Sequence, residues 1–575
     1  MSISKLAKMN DMKRMNYFLG ILLAAATFAS CKKSFLDRPP LSSITDAKFY
    51  QTDEQIMAAT APLYNAVWFD YNDAASWQLG DFRGGSAFDA WYDNANSKFN
   101  TTPDNQHNQS AWRAFFNVIA QSNLAIFNIN RFAGSAVTAE AKKVAIAEAR
   151  FMRAVAYRYL VMNWGEVPII ENNIEHLNDT NIRKNTVPSI WRFITREMRA
   201  VANDLPSTAS QPGRVTKWSA EGMLARFYLI RAGVGTNGTG PRNQVYLDSA
   251  KYYAANVINN SGHKLLDKYE DLFRWNEKTG YRYDNNSESL FELQWVFTGS
   301  SVWGTANSMP EPLAYGNEVA YSGWGGSKGA TWWIISQYDG FNQQPDGSLK
   351  GRTIDQRLQA TFMLPGFSYP DMTMKSGGKF VYPFTGTDNN YVAIKKYIIG
   401  GPQDLGAAAS TQHYPNNTYM LRLAEMYLIY AEATIGNNSS TTDATAVAYF
   451  NKVHQRAGLP AWNVTGTNAN GPLTLDAVFT ERFKEFAMEG STWYDIVSLY
   501  YWNKTKALGI LNSQDRGLFF AQPDNQNNPS EWTFTKTSWF TPRLVTANEG
   551  NFVMPVPAIE LSQAPNLQNP AVDYP

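Results

Sequence analysis

Residues 141–168 read AKKVAIAEARFMRAVAYRYLVMNWGEVP, and the spacing of their side chains decides the fold class. Ala145, Ala149 and Ala156 put small groups where a neighbouring helix can approach closely, and Phe151, Val155, Tyr159 and Met162 supply bulk at helical intervals. Gly165 can turn the chain out of a helix and Pro168 cannot continue one, so both act as stop signals. The spacing predicts a helix over 141–163.

The same grammar extends on both sides. Asp53 is placed to cap a helix carrying Ile56, Ala59, Leu63 and Val67. Residues 112–129 bring Phe116, Ile119, Asn123 and Phe127 to one side, and 187–202, 219–230 and 248–259 are further amphipathic helices, the last ended near Gly262. Paired helices with small packing residues follow the pattern of tetratricopeptide-like repeats, without the strict period of about 34 residues. From about Leu290 the character changes. Residues 290–297 alternate as a strand, and 303–329 form a loop rich in Gly, Ser and aromatics. Helices are expected at 419–435, 444–456 and 475–489, with a Pro-rich extended end over 552–575. The expectation is a mostly α chain, helical over 41–285 and loop-rich with short strands over 286–575.

The N-terminus carries an address. Lys5, Lys8, Lys13 and Arg14 precede an apolar run over 17–28, and Ala29-Ser30 leads to Cys31, the only cysteine. Basic residues, an apolar run and small residues in that order read as a signal peptide over 1–30. The run is shorter than the roughly 20 residues that cross a bilayer. A thiol at the first mature position marks Cys31 as a lipid attachment site, with 31–40 as a tether stiffened by Pro39-Pro40. The alternatives are an ordinary secretory signal beside a stray cysteine, or a short uncut anchor.

Composition excludes several functions. A net charge of +1 lacks the basic excess of a nucleic-acid binder. One cysteine forms no intrachain disulfide, and the five histidines are scattered without metal-ligand spacing, so no metal or cofactor is expected. Residues 233–238 match the letters of a dinucleotide fingerprint but follow a predicted helix rather than a strand, which removes the helix N-terminus that would hold phosphate. Glu288 and Glu292 sit in one short strand, whereas a glycosidase needs carboxyls on opposite sides of the scissile bond. They read as edge carboxylates, and Asp339 and Asp355 offer no more. No enzyme site emerges.

Aromatic residues make up 14% of the chain. Rings beside amides and hydroxyls suit flat, uncharged, polar ligands such as sugars, although most such rings pack a core. Two segments combine both features. Residues 81–96 hold Arg83, Trp91, Tyr92, Asn94 and Asn96; residues 303–324 hold Trp303, Asn307, Tyr321 and Trp324. Trp332-Trp333, continued by Ile334 and Ile335, reads as core.

Several motifs in order resemble the SusD/RagB family of Bacteroidetes outer-membrane lipoproteins. They are the mature start from Cys31 to Pro40; Glu148 to Ala154 with Tyr159-Leu160 and Asn163 to Pro168; Arg422 to Leu428 with Ala431 to Ala433; Glu481 to Gly490 with Trp493 to Ile496; and Met554 to Pro557 with Glu560-Leu561 and Asn566 to Pro570. The resemblance implies a SusD-like fold with tetratricopeptide-like helix pairs. It implies a lipid-anchored protein of the outer membrane, facing the exterior, that captures an oligosaccharide and passes it to a SusC-like TonB-dependent transporter. It implies no catalysis. Lys32-Lys33 stand where an acidic export signal is expected for surface display. A peptide-capturing relative is the alternative, and a surface hydrolase a distant third. The shared motifs read as scaffold: Arg150 and Arg153 bridge carboxylates between helices, and the charges of 481–490 pair at i, i+4.

Overall fold

The computed structural model describes residues 46–90, 95–176, 181–276, 281–299, 303–383, 392–537 and 542–575. The expected signal and tether, with Cys31, lie outside them. The scaffold helices, in chain order, are α1 (Asp53–Thr60), α2 (Gln106–Phe132), α3 (Ala139–Trp164), α4 (Val187–Asp204), α5 (Lys217–Arg231), α6 (Gln244–Asn260), α7 (Leu423–Ile435), α8 (Ala444–Arg456), α9 (Leu475–Phe486) and α10 (Thr492–Tyr500). From α2 to α8 each helix packs on the one before it. The stack therefore continues from α6 directly into α7, and the loop-rich segment 261–422 is an excursion between two neighbouring helices.

Local chemistry starts most of these helices. Thr138, Thr186, Thr216, Asn243, Asp443 and Thr474 cap α3, α4, α5, α6, α8 and α9, each side chain accepting from a backbone N–H in the first turn. Such a cap contributes about 1 kcal/mol. α3 is buried on all sides from Phe151 to Trp164, the position of a central helix rather than a surface one. Gly165 (φ +66°) ends it.

Four boundaries differ from the sequence expectation. Thr52, not Asp53, caps α1, with Gln55 reciprocating, and the Asp53 carboxylate instead accepts from Thr138 N and Oγ at 2.8 Å each. α1 stops at Thr60 because Pro62 follows, and the chain continues through 3-10 turns. Thr418–Arg422 is a strand antiparallel to Ser289–Leu293, buried along its whole length, so α7 begins only at Leu423. α9 ends at Phe486: Met488 (φ +63°) and Gly490 (φ +67°) turn left-handed, and their N–H groups donate to Asp81 at 2.8 Å.

Asp81 belongs to an element that periodicity does not reveal, a π-helix over Tyr71–Phe82. Gly80 lets it touch the turn after α9; a Cβ there would lie 2.3 Å from the Gly490 Cα. Runs of π-helix are rare and gather at functional sites.

The motif charges are core ties. Arg150 and Arg153 of α3 do bridge to Glu197 of α4, Arg150 Nη2 at 2.7 Å. The charges of 481–490 do not pair along their helix. Glu485 accepts from Arg357, Arg422 and Arg456; Glu481 accepts from Arg357 at 2.7 Å and His454 at 2.9 Å; Arg482 donates to Asp495 and Glu425. These side chains are buried, so each charge finds its partner across the packing interface rather than along a solvated face. Glu288 is likewise no edge carboxylate. It is fully buried and takes Arg422 at 2.6 Å and Arg456 at 2.8 Å.

Candidate functional site

Two tryptophans stand out of this scaffold. Trp303 is 55% exposed and Trp324 is 45% exposed, although burying an indole face is normally favourable. Both belong to the excursion between α6 and α7. Trp303 rests against Phe69, ring centroids 4.8 Å apart, and against His413 at 6.0 Å.

The frame beneath them is a set of buried hydrogen bonds. His413 and Tyr414 run beside Asn307, with Asn307 N donating to Tyr414 O at 2.8 Å and Tyr414 N to Asn307 O at 2.9 Å. The Tyr414 hydroxyl donates to Glu311 Oε1 at 2.7 Å and accepts from Tyr321 N at 3.0 Å. Glu311 also accepts from Ser322 N and Oγ, and its backbone carbonyl takes Trp324 N at 3.1 Å. Tyr321 packs edge-on to Tyr414 at 5.8 Å and donates its hydroxyl to Gly406 O at 2.6 Å. The segment 303–324 is thus folded around His413-Tyr414, with Trp303 on one side and Tyr321 and Trp324 on the other. Burial and the Glu311 carboxylate push the Tyr414 phenol well above its ordinary range, so it stays a donor.

The π-helix anchors the base. Asn72 Nδ2 donates to Asn307 Oδ1 at 2.7 Å, and Ser308 Oγ donates to Asp73 Oδ1 at 2.7 Å. Burial raises the Asp73 carboxyl, and the serine hydroxyl opposes that rise.

Nε2 of His413, whose ring meets Trp303, and Oδ1 of Asn416, whose backbone carbonyl takes the Asn307 amide, are buried without a protein partner, as are both amide atoms of Gln403. His413 Nδ1 meets Thr411 O at 2.7 Å, a contact that requires the proton on Nδ1 and leaves Nε2 an acceptor. Gln412, next to it, holds φ at +61°. Unsatisfied buried groups cost about 1–3 kcal/mol each, so this loop gains from a ligand or water that reaches them. Sequence reasoning did not single out Gln403 or His413. His413 lies about 110 residues from Trp303, and only the fold brings the two rings together.

The nine candidate residues separate by environment. Trp303, Tyr321 and Trp324 share the surface just described. Asn307 does not face a ligand: it is fully buried and its amide is used by Asn72, Met309 N and Asn416 O. Arg83 is 2% exposed and lies over the rings of Phe99 and Trp493 at 5.0 and 4.7 Å, donating to Asn551 O; burial pushes its guanidinium down to about 9. Asn96 is also fully buried, donating to Gln78 Oε1 at 3.2 Å and accepting from Thr101 at 3.1 Å. These three are scaffold, because a side chain closed on all sides by protein has no face for a sugar. Trp91, Tyr92 and Asn94 lie outside the described residues; Ala90, just before them, donates its N–H to Ser327 O at 2.8 Å, three residues beyond Trp324.

Among the described residues no group of three or more His, Cys, Asp or Glu side chains is placed to hold a metal, and no helix is long and apolar enough to cross a membrane.

Comparison with known proteins bears on both halves. Residues 287–572 match the SusD family, and residues 34–229 match a SusD-like family described as starch-binding and associating with the outer membrane. A SusD-like protein of Bacteroides ovatus is 35% identical over 97% of this chain and 98% of its own. The starch-binding protein SusD of Bacteroides thetaiotaomicron is 24% identical, covering 63% of this chain and 65% of its own. A crystal structure holding a xylogluco-oligosaccharide superposes with a TM-score of 0.77 at 31% identity, over 90% of this chain and 99% of that one. With its near full-length relatives and two matching family models, the chain belongs to the SusD family.

Proposed function

We propose that this protein is a lipid-anchored protein of the outer-membrane surface that binds an oligosaccharide and delivers it to a SusC-like TonB-dependent transporter. The observation that carries the reading is the pair of exposed indoles, Trp303 and Trp324, carried on a hydrogen-bonded frame that also holds Tyr321. Exposed rings offer stacking faces to pyranoses, and an acceptor such as His413 Nε2 suits a sugar hydroxyl. Trp91, Tyr92 and Asn94 complete the proposed ligand set. The xylogluco-oligosaccharide bound by one relative makes that class the first to test. The protein binds without catalysis. Cys31 supplies the anchor, and holding the binder beside its transporter raises its effective concentration there.

The test is calorimetry of the lipid-free protein with xylogluco-oligosaccharide, malto-oligosaccharide, laminarin oligosaccharide and mixed oligopeptides, beside Trp303→Ala and Trp324→Ala. Glycan binding that weakens in both variants supports the proposal. Peptide binding without glycan binding overturns it in favour of a peptide-capturing protein.

A further inference from the structure

A small cavity of about 20 Å³ lies inside the helical scaffold, where α3, α5, α7, α9 and α10 meet, and it shares no residue with the Trp303 surface. That volume holds one water-sized species. Its walls are ionic: Arg158, Arg226 and Arg482 stand against Glu425, Glu432 and Asp495.

Each of the three carboxylates is already matched by an arginine. Arg226 donates to both oxygens of Glu425, its Nε at 2.9 Å. Arg482 grips Asp495 through Nε at 3.0 Å and Nη2 at 2.7 Å, and also reaches Glu425 at 3.2 Å. Glu432 accepts from Arg242, which stands outside the cavity, at 2.7 Å. Four arginines thus face three acids, and the excess positive charge falls on Arg158. Arg158 is 6% exposed and makes no hydrogen bond and no ion pair among the described residues; its Nε is buried with no acceptor. Glu425 attracts it from beyond hydrogen-bonding distance. Its guanidinium lies over the rings of Tyr159 and Tyr494, at 4.6 and 4.5 Å, and ring faces attract a cation without neutralising it. Nη1 of Arg482, another lining residue, is likewise buried with no acceptor.

Both arginines are buried, yet their donors are unmet and the cavity gives an acceptor room beside them. An unmet buried charge costs far more than an unmet neutral group. The unmet groups are N–H donors on cations, so the species that completes them accepts hydrogen bonds and carries negative charge. A metal ion would be repelled by Arg158, and a water would leave its charge unbalanced. Phosphate and sulfate exceed the volume of one water. We propose that this cavity binds a single monatomic anion of chloride's size, held by Arg158 and by Nη1 of Arg482, which ties α3 to α9 inside the scaffold. The hydroxyl of Ser498, on α10, also lines the cavity and supplies a third donor. The readout of such a site is stability, so the proposal does not depend on glycan binding.

The experiment is thermal melting of the lipid-free protein in sodium chloride and in sodium gluconate at equal ionic strength, with chloride titrated from zero, for wild type and Arg158→Met. Crystals of wild type soaked in sodium bromide, read by the anomalous signal of bromine, locate the ion. An anion bound only by the folded state at about a hundredfold excess over its Kd shifts the folded-to-unfolded ratio about a hundredfold. In wild type, chloride should therefore raise the melting temperature by a few degrees over gluconate and then saturate. Arg158→Met keeps the length of the side chain without its charge and should melt alike in both salts. A bromide peak beside Arg158 is expected. Equal melting of wild type in the two salts, an undiminished chloride effect in Arg158→Met, or no bromide in the cavity overturns the proposal. The bromide crystals need only wild type and decide the matter if the variant does not fold.

Discussion

Replacing Trp303 by alanine removes one stacking face while leaving the frame in place, and the size of the effect can be worked from exposure. Taking about 220 Å² for a tryptophan side chain, 55% exposure leaves about 120 Å² in water. A pyranose covers one face, about half of that. At roughly 25 cal/mol per Å² the lost burial is about 1.5 kcal/mol, or about tenfold in affinity. The folded state should lose little, because Trp303 contributes only one edge contact to Phe69 and one to His413, contacts worth about 0.5–1.5 kcal/mol each. The assay is calorimetry of wild type and Trp303→Ala against xylogluco-oligosaccharide, with denaturant unfolding as control. A tenfold rise in Kd with stability lowered by no more than about 3 kcal/mol is the expected result. Unaltered affinity would refute the stacking role, and a collapse of stability would show that the ring is core.

Arg83→Ala should behave in the opposite way: loss of a buried side chain costs about 2–5 kcal/mol of stability, while the remaining folded protein binds glycan as before; a selective loss of affinity would return Arg83 to the site. Glu425 provides a pH signature. Burial pushes its carboxyl up, but Arg226 and Arg482 more than offset this and hold it down to about 2, below the ordinary 4.5. A depressed carboxyl adds stability that is present above pH 4.5 and is lost as pH falls toward 2, about 3 kcal/mol in all. Unfolding free energies of wild type and Glu425→Gln, measured from pH 7 to pH 2.5, should therefore converge; a constant gap would contradict the ion-pair origin. Cys31→Ser should leave folding and binding intact and release the protein from the membrane fraction, with uptake lost; a variant still sedimenting with membranes would remove the cysteine from the anchoring role.

The helices were legible because their signals are local. Thr138, the alanines of α3 and Gly165 lie within one stretch of chain, and capping, spacing and termination act over a few residues. The same locality explains the misplaced ends. The strand Thr418–Arg422 exists because Ser289–Leu293 lies beside it, and α9 stops where Asp81, some 400 residues earlier, takes its N–H groups. Neither partner is visible from within the segment.

The candidate site divides along the same line. Residue chemistry pointed to aromatic loops, and family motifs to the architecture that carries them. Whether a given ring or amide meets solvent is a property of what packs around it. Trp303 and Trp324 are exposed while Arg83, Asn96 and Asn307 are closed in, although composition alone treats all five as equal candidates for a sugar. By itself the sequence determined a stack of paired helices and the motifs that place the chain in the SusD family. Only the tertiary structure decided which side chains remain available. Burial is settled by long-range contacts such as Asn72 with Asn307 and Tyr414 with Glu311, which chain spacing does not encode.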